Sequence, residues 1–100
     1  MMDDLTGFQR DALYVIAKLD SPHGLEIKRE LEEYYLKDIY HGQLYPNLDE
    51  LAEKGLCSKT KLNGRSNIYQ LTDQGEAALH ARRSWEQDLS DRPEIDNPRK

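Results

Sequence analysis

Apolar positions recur along this chain first at helical spacing, then in two short strand-like runs, then at helical spacing again. Phe8, Ala12, Val15, Ile16 and Leu19 fall on one helix face, and Thr6 with Gln9 forms a Thr-x-x-Gln capping box ahead of them. Asp20-Ser21-Pro22 ends that helix. A second begins at about His23, with Ile27, Leu31 and Tyr34 at i, i+4 and i+7. Its other side carries Glu26, Lys28, Arg29, Glu30, Glu32 and Glu33, a solvated face with i,i+4 pairs such as Lys28–Glu32. After a connector in which Asp38 is placed as a cap, Leu44, Leu48 and Leu51 mark a third helix over about 41–54. Pro46 lies inside it, removes one backbone donor and crowds the carbonyl of Gly42, so a bent or tight first turn is expected. Gly55 stops the helix at the position just past its C-cap.

Residues 56–61 and 66–71 read as strands flanking Asn63-Gly64, a favoured two-residue hairpin turn. Thr72 is the expected N-cap of a last helix with a sparse apolar stripe of Leu79, Trp85 and Leu89. The order α-α-α-β-β-α is that of a winged helix-turn-helix, an α+β fold whose hairpin is the wing. Residues 1–89 form one domain; 90–100, with two prolines, many charges and one isolated aliphatic residue, read as a disordered tail.

Composition qualifies this picture in two ways. With 33% charged and 37% hydrophobic residues in 100, the domain has a modest core, and a dimer would help it. No apolar run is long enough to cross a bilayer and no signal peptide is visible, so a cytoplasmic protein is expected. Cys57, the single cysteine, sits among apolar neighbours and reads as a buried structural thiol rather than a redox sensor. The net charge of −5 is uneven: residues 56–70 carry Lys59, Lys61 and Arg65 with no acid, while each segment around them is acidic. A basic wing on an acidic body would both attract and orient a phosphate backbone.

The third helix supplies candidate base readers. With its leucines inward, Gln43, Asn47 and Glu50 lie on one exposed flank, His41 and Tyr45 on the other. The carboxamides of Gln43 and Asn47 match the donor and acceptor pair of adenine in the major groove. Tyr45 suits a phosphate or the wing, and Asn67 is a further wing candidate. Asp49, Glu50 and Glu53 should face away from DNA, and Lys28 and Arg29 are secondary phosphate candidates. His23, His41 and His80 lack zinc-like spacing, no catalytic constellation or glycine-rich phosphate loop is present, and no pocket-forming insertion suggests a small-molecule ligand. No cofactor or metal is therefore expected, nor is the chain read as an enzyme.

The run Gly42-x-Leu44-Tyr45-Pro46-x-Leu48-x-x-Leu51-x-x-x-Gly55-Leu56, followed by Arg65-x-x-x-Tyr69-x-Leu71-Thr72-x-x-Gly75, resembles the PadR family of winged-helix transcriptional regulators. His23-Gly24-x-x-Ile27 is similar to that family's start of helix two. The resemblance spans about residues 8–80, and the acidity makes it look most like short haloarchaeal members. Leu25 stands where the family usually has tyrosine, Tyr40-His41 replaces a common Ser-Pro helix start, and the C-terminal region is shorter than in many members. The resemblance implies a homodimer built from the first and last helices, with Phe8, Leu79, Trp85 and Leu89 as interface residues, binding a pseudo-palindromic double-stranded DNA operator and usually repressing. The rival expectation is a winged-helix protein-interaction module that does not bind DNA, which the acidic net charge favours.

Overall fold

Thr6 and Gln9 cap each other as their spacing predicts: the Gln9 amide donates to Thr6 Oγ1 at 3.1 Å and the Thr6 amide to Gln9 Oε1 at 3.2 Å. This opens α1, Gly7–Leu19, behind a short 3-10 turn at Met2–Asp4. The computed structural model describes residues 2–64 and 66–91. Beyond α1 it contains α2 (Gly24–Tyr35), α3 (His41–Glu53), β1 (Cys57–Lys61), β2 (Asn67–Leu71) and α4 (Asp73–Ser90). The molecule is the expected winged helix-turn-helix of the α+β class. Arg65 and residues 92–100, which hold one wing cation and nearly all of the expected tail, lie outside the described residues.

The core runs through every helix and the root of the wing. Leu13, Ile27, Leu44, Leu48 and Leu51 are fully buried, joined by Leu56, Cys57 and Tyr69 of the hairpin and Ala78 and Leu79 of α4. Each buried leucine or isoleucine contributes about 1.5–3 kcal/mol relative to an exposed one. The α1 face is rotated from the expected one: Gln9, Ala12, Leu13 and Ile16 are buried, while Phe8 and Val15 pack at its margin. Met2, Leu5 and Ile39 complete the core from non-helical positions that periodicity cannot flag.

Tyr34, expected on the buried face of α2, is 76% exposed. Its neighbour Tyr35 turns inward instead, stacking at a tilt on Phe8 and donating its hydroxyl to Asp11 Oδ2 at 2.6 Å. The Lys28–Glu32 pair forms at 2.8 Å, and Lys18 of α1 pairs with Glu30 across the α1–α2 groove. Asp38 does not cap α3. Tyr40 occupies the N-cap without a side-chain hydrogen bond, and its carbonyl takes both the Gln43 and Leu44 amides at 2.9 and 3.0 Å, the tight first turn expected ahead of Pro46.

The hairpin is antiparallel with Cys57 opposite Leu71 and Lys61 opposite Asn67. The Leu62 amide also donates to the Ser66 carbonyl at 2.8 Å. The Asn63 side chain accepts from the Ser66 amide at 3.2 Å, so the turn signal at Asn63-Gly64 falls at the tip of the hairpin as expected. A third short pairing joins the sheet where α2 begins: His23 bridges Ile68, and the Tyr69 amide donates to the Pro22 carbonyl at 2.9 Å. This ties the wing to the start of α2.

Gly55 and Gly75 set the wing's root. Gly55 turns the chain out of α3 at φ 79°, a left-handed conformation costly for other residues. At Gly75 an added Cβ would lie 2.0 Å from the Leu56 carbonyl oxygen, so α4 approaches the hairpin backbone as closely as glycine allows. Thr72 fixes that approach: its hydroxyl donates to the Gly55 carbonyl at 2.6 Å and accepts from the Gly75 amide at 3.0 Å.

Candidate nucleic-acid interface

The first turn of α3, the start of α2 and the wing enclose an open cleft of about 480 Å³. His41 and Tyr45 form its α3 wall, their rings meeting edge-on with centroids 5.4 Å apart. Tyr45 lies over Gly24, where a Cβ would come within 2.7 Å of the ring. The His-Gly of helix two and the Leu-Tyr-Pro of helix three are thus two halves of one contact. Asn67 lines the wing side, and Tyr69 closes the floor with only 1% of its surface exposed. Burial, and after it the Asp49 carboxylate, pushes the Tyr69 phenol up to about 12, so it stays protonated.

Two other cleft residues come from the N-terminal half of α2. Arg29 and His23 both line it, whereas Lys28 is tied to Glu32. Arg29 is a secondary candidate on sequence grounds. His23 carries no such signal in the sequence, because only the bridge to Ile68 brings the α2 start beside the wing.

The remaining candidates separate into presented and engaged side chains. His41 and Gln43 are exposed on α3, as is Lys61 at the end of β1. Lys59 is exposed but folded back onto α3, its ammonium 2.8 Å from Asp49 Oδ1. Asp49 is thus the α3 partner of a wing cation and lies outside the lining of the cleft.

Asn47 differs most from expectation. It is half-buried on the α1 side of α3, and both ends of its carboxamide are engaged: Oδ1 accepts from Gln9 Nε2 at 2.9 Å, and Nδ2 donates to the Gln43 carbonyl at 2.7 Å. Gln9 is the buried polar side chain of the described core, 3% exposed. Helical spacing within α3 puts Asn47 on an open flank, because nothing local to that helix signals a glutamine 38 residues upstream.

Of the four expected interface residues for a dimer, Leu79 lies in the protomer's own core at 4% exposure, which takes it off the surface. Phe8 and Leu89 are half-buried. Trp85 is 52% exposed, with the Arg82 guanidinium 4.9 Å above its ring, and it borders a shallow depression of about 380 Å³ with Met2, Ala78 and Ala81. Cys57 is buried, and burial pushes its thiol up to about 11. Among the described residues no group of three His, Cys, Asp or Glu is placed to hold a metal ion, and no helix is long and apolar enough to cross a membrane.

Residues 12–81 match the model of the transcriptional regulator PadR-like family, well over half of the chain. The chain belongs to the PadR-like family. RosR of H. salinarum, in crystals grown from NaBr, superposes with a TM-score of 0.87 at 42% identity, over 95% of this chain and 86% of that one. The same protein in the complex RosR-S1 gives 0.85 at 42% identity, over 93% and 83%. The transcriptional activator GvpE of Haloferax mediterranei is 31% identical over 61 residues, 61% of this chain. The chain spans only 31% of that relative's length. Membership of this family makes the chain a PadR-like transcriptional regulator, and the H. salinarum and Haloferax relatives agree with the haloarchaeal resemblance of its sequence.

Proposed function

We propose that this PadR-like protein is a homodimeric, sequence-specific regulator that binds double-stranded DNA in the cytoplasm. The reading is supported above all by one juxtaposition: His41 and Tyr45 of α3, Arg29 of α2 and Asn67 of the wing line one open cleft, while Gln43 is exposed on the other flank of the same first turn of α3 and Lys61 at the end of β1. A helix of this kind enters the major groove by its N-terminal end, where carboxamides and imidazoles meet base edges. Gln43 and His41 are the proposed base readers. Tyr45, held over Gly24, and Asn67 contact the sugar-phosphate backbone beside them. Lys59, Lys61 and Arg65 clamp the flanking backbone, where their contribution is independent of sequence.

The dimer pairs α1 and α4 of two protomers through Phe8, Trp85 and Leu89. Trp85 and its depression on α4 offer apolar surface that the monomer leaves open. Two α3 helices related by a two-fold axis would then read a pseudo-palindromic operator, and occupancy of a promoter would repress by occlusion. The GvpE relative is described as an activator, and the same docking upstream of a promoter serves activation. Footprint position relative to the transcription start decides between the two.

Fluorescence anisotropy with random duplex and with the DNA upstream of the protein's own gene, across a salt series, tests the reading. Three wing cations per protomer would meet about six phosphates, a log–log slope of about −5 if all were free. Lys59 begins on Asp49, which takes up a counterion when released, so the expected slope is about −4. Preference for the upstream duplex supports the proposal. A folded dimer that binds neither duplex at any salt overturns it and leaves a protein-interaction module, the reading the net charge of −5 favours.

A further inference from the structure

Pro46 deprives α3 of an amide in the turn that carries His41 and Gln43, and the Tyr40 N-cap adds no side-chain bond. The end of the helix that most needs a fixed position is therefore short of its own hydrogen bonds. Asn47 offsets this from inside the helix by donating from Nδ2 to the Gln43 carbonyl. Asn47 is held in turn by Gln9, whose carboxamide accepts from the Thr6 amide and donates to Asn47 Oδ1. A single chain of hydrogen bonds runs from the cap of α1, through a side chain 3% exposed, to the backbone of the exposed Gln43.

Apolar packing sets how far apart two helices lie but permits small rotations. A buried carboxamide satisfied at both atoms fixes orientation as well, because its donor and acceptor cannot be exchanged without breaking two bonds. Turning Asn47 outward for a two-point pairing with a base would break both.

We infer that Gln9 and Asn47 are positioning residues that lock the reading end of α3 onto α1, and that Asn47 serves DNA selectivity through Gln43 rather than by contacting a base. This rests on the DNA-binding reading above. It makes Gln9, a residue inside α1 with no path to DNA, a determinant of sequence preference.

The test measures anisotropy of the full-length protein on its footprinted upstream duplex, on single-base variants of that duplex and on random duplex, with thermal midpoints alongside. Gln9→Glu keeps the acceptor that caps α1 and lacks the donor to Asn47. Asn47→Asp keeps the acceptor for Gln9. Gln9→Glu and Asn47→Ala are expected to lose selectivity at the same base pairs, by about ten-fold, with the double variant losing no more than either alone. Asn47→Asp keeps the bond to Gln9 but is expected to lose selectivity at the same base pairs, because a carboxylate oxygen replaces the Nδ2 donor to the Gln43 carbonyl, and to bind every duplex more weakly, as an added negative charge demands.

Selectivity lost in Asn47→Ala but intact in Gln9→Glu would mean that Asn47 reads a base directly, and would overturn the inference alone. Unchanged profiles in both variants would do the same. If Gln9→Glu fails to fold, Gln9→Met, which also lacks the donor to Asn47, decides: a wild-type profile in Gln9→Met overturns the inference. Wild-type protein that does not distinguish its upstream duplex from random DNA removes the DNA-binding reading, and the inference with it.

Discussion

Helix α3 and the wing stand on either side of one cleft and are built on opposite physical terms. Leu44, Leu48 and Leu51 bury one whole side of α3, and Gln9 with Asn47 pins its α1 flank. Strand β1 is buried at Cys57 and exposed at its four other residues. The helix is positioned by burial and directional hydrogen bonds, which salt leaves almost untouched. The wing carries charge on a two-stranded ribbon whose ion pair with α3 is half-exposed and weak at high ionic strength. A regulator divided in this way keeps its geometry in one element and its attraction in another, so each can be altered without the other.

The largest expected effect is on stability. Leu48→Ala, fully buried in α3, should cost about 3–4 kcal/mol, whereas Thr60→Ala on the exposed wing strand should stay within about 0.5 kcal/mol. Urea midpoints at unchanged m-value measure both. Similar costs for the two would break the contrast between a packed helix and a solvated ribbon.

The wing's root should behave like the helix and not like the wing's tip, and pH exposes the difference. Burial raises the Cys57 thiol from 9.0 to about 11 and the Tyr69 phenol from 10.0 to about 12. Both groups hold their protons more tightly folded than unfolded, so this stabilisation is full below pH 9. It is lost as pH climbs toward 12, because the unfolded chain ionises first. Thermal midpoints should therefore fall steadily above pH 9, and Tyr69→Phe should flatten the part of that fall above pH 10. An equal decline in Tyr69→Phe would show that the phenol is not the group responsible.

A smaller effect lies where α2 supports α3. Gly24→Ala places a methyl 2.7 Å from the Tyr45 ring, which must swing away and carry its edge contact with His41 along. A cost of about 1–2 kcal/mol is expected. Under the proposed function, weaker binding to all duplexes should accompany it, measured by anisotropy. Unchanged stability would mean that the ring relocates freely and that the His-Gly and Leu-Tyr-Pro motifs are not mechanically joined.

How much of the molecule is legible in its sequence depends on the range of the interactions involved. The Thr6–Gln9 box, the Leu44/Leu48/Leu51 face, the Gly55 stop and the Thr72 cap rest on neighbours within a few residues, and each forms where the chain pattern places it. The α1 face is displaced because Gln9, a polar residue, is buried against a partner on another helix. Within the candidate interface, the residue types are legible but their state is not. Nothing local to Asn47 or Lys59 shows that one is tied to α1 and the other to Asp49, since both partners are contributed by the tertiary fold.

The smallest expected effect tests the one bond that joins the two regions. Asp49→Asn leaves α3 packed and removes only the charge that holds Lys59, so stability should change by less than about 0.5 kcal/mol, as for other exposed pairs. Binding is where the change should appear. With Lys59 released before DNA arrives, no counterion is taken up by residue 49 on binding, and the salt dependence should steepen from about −4 to about −5. Affinity for random duplex at low salt should rise, and preference for the upstream duplex should shrink, because the added attraction does not distinguish sequences. An unchanged slope would show that Lys59 keeps its distance from phosphate in the complex. The wing's pull would then rest on Lys61 and Arg65, and Asp49 would serve only to hold the hairpin against α3.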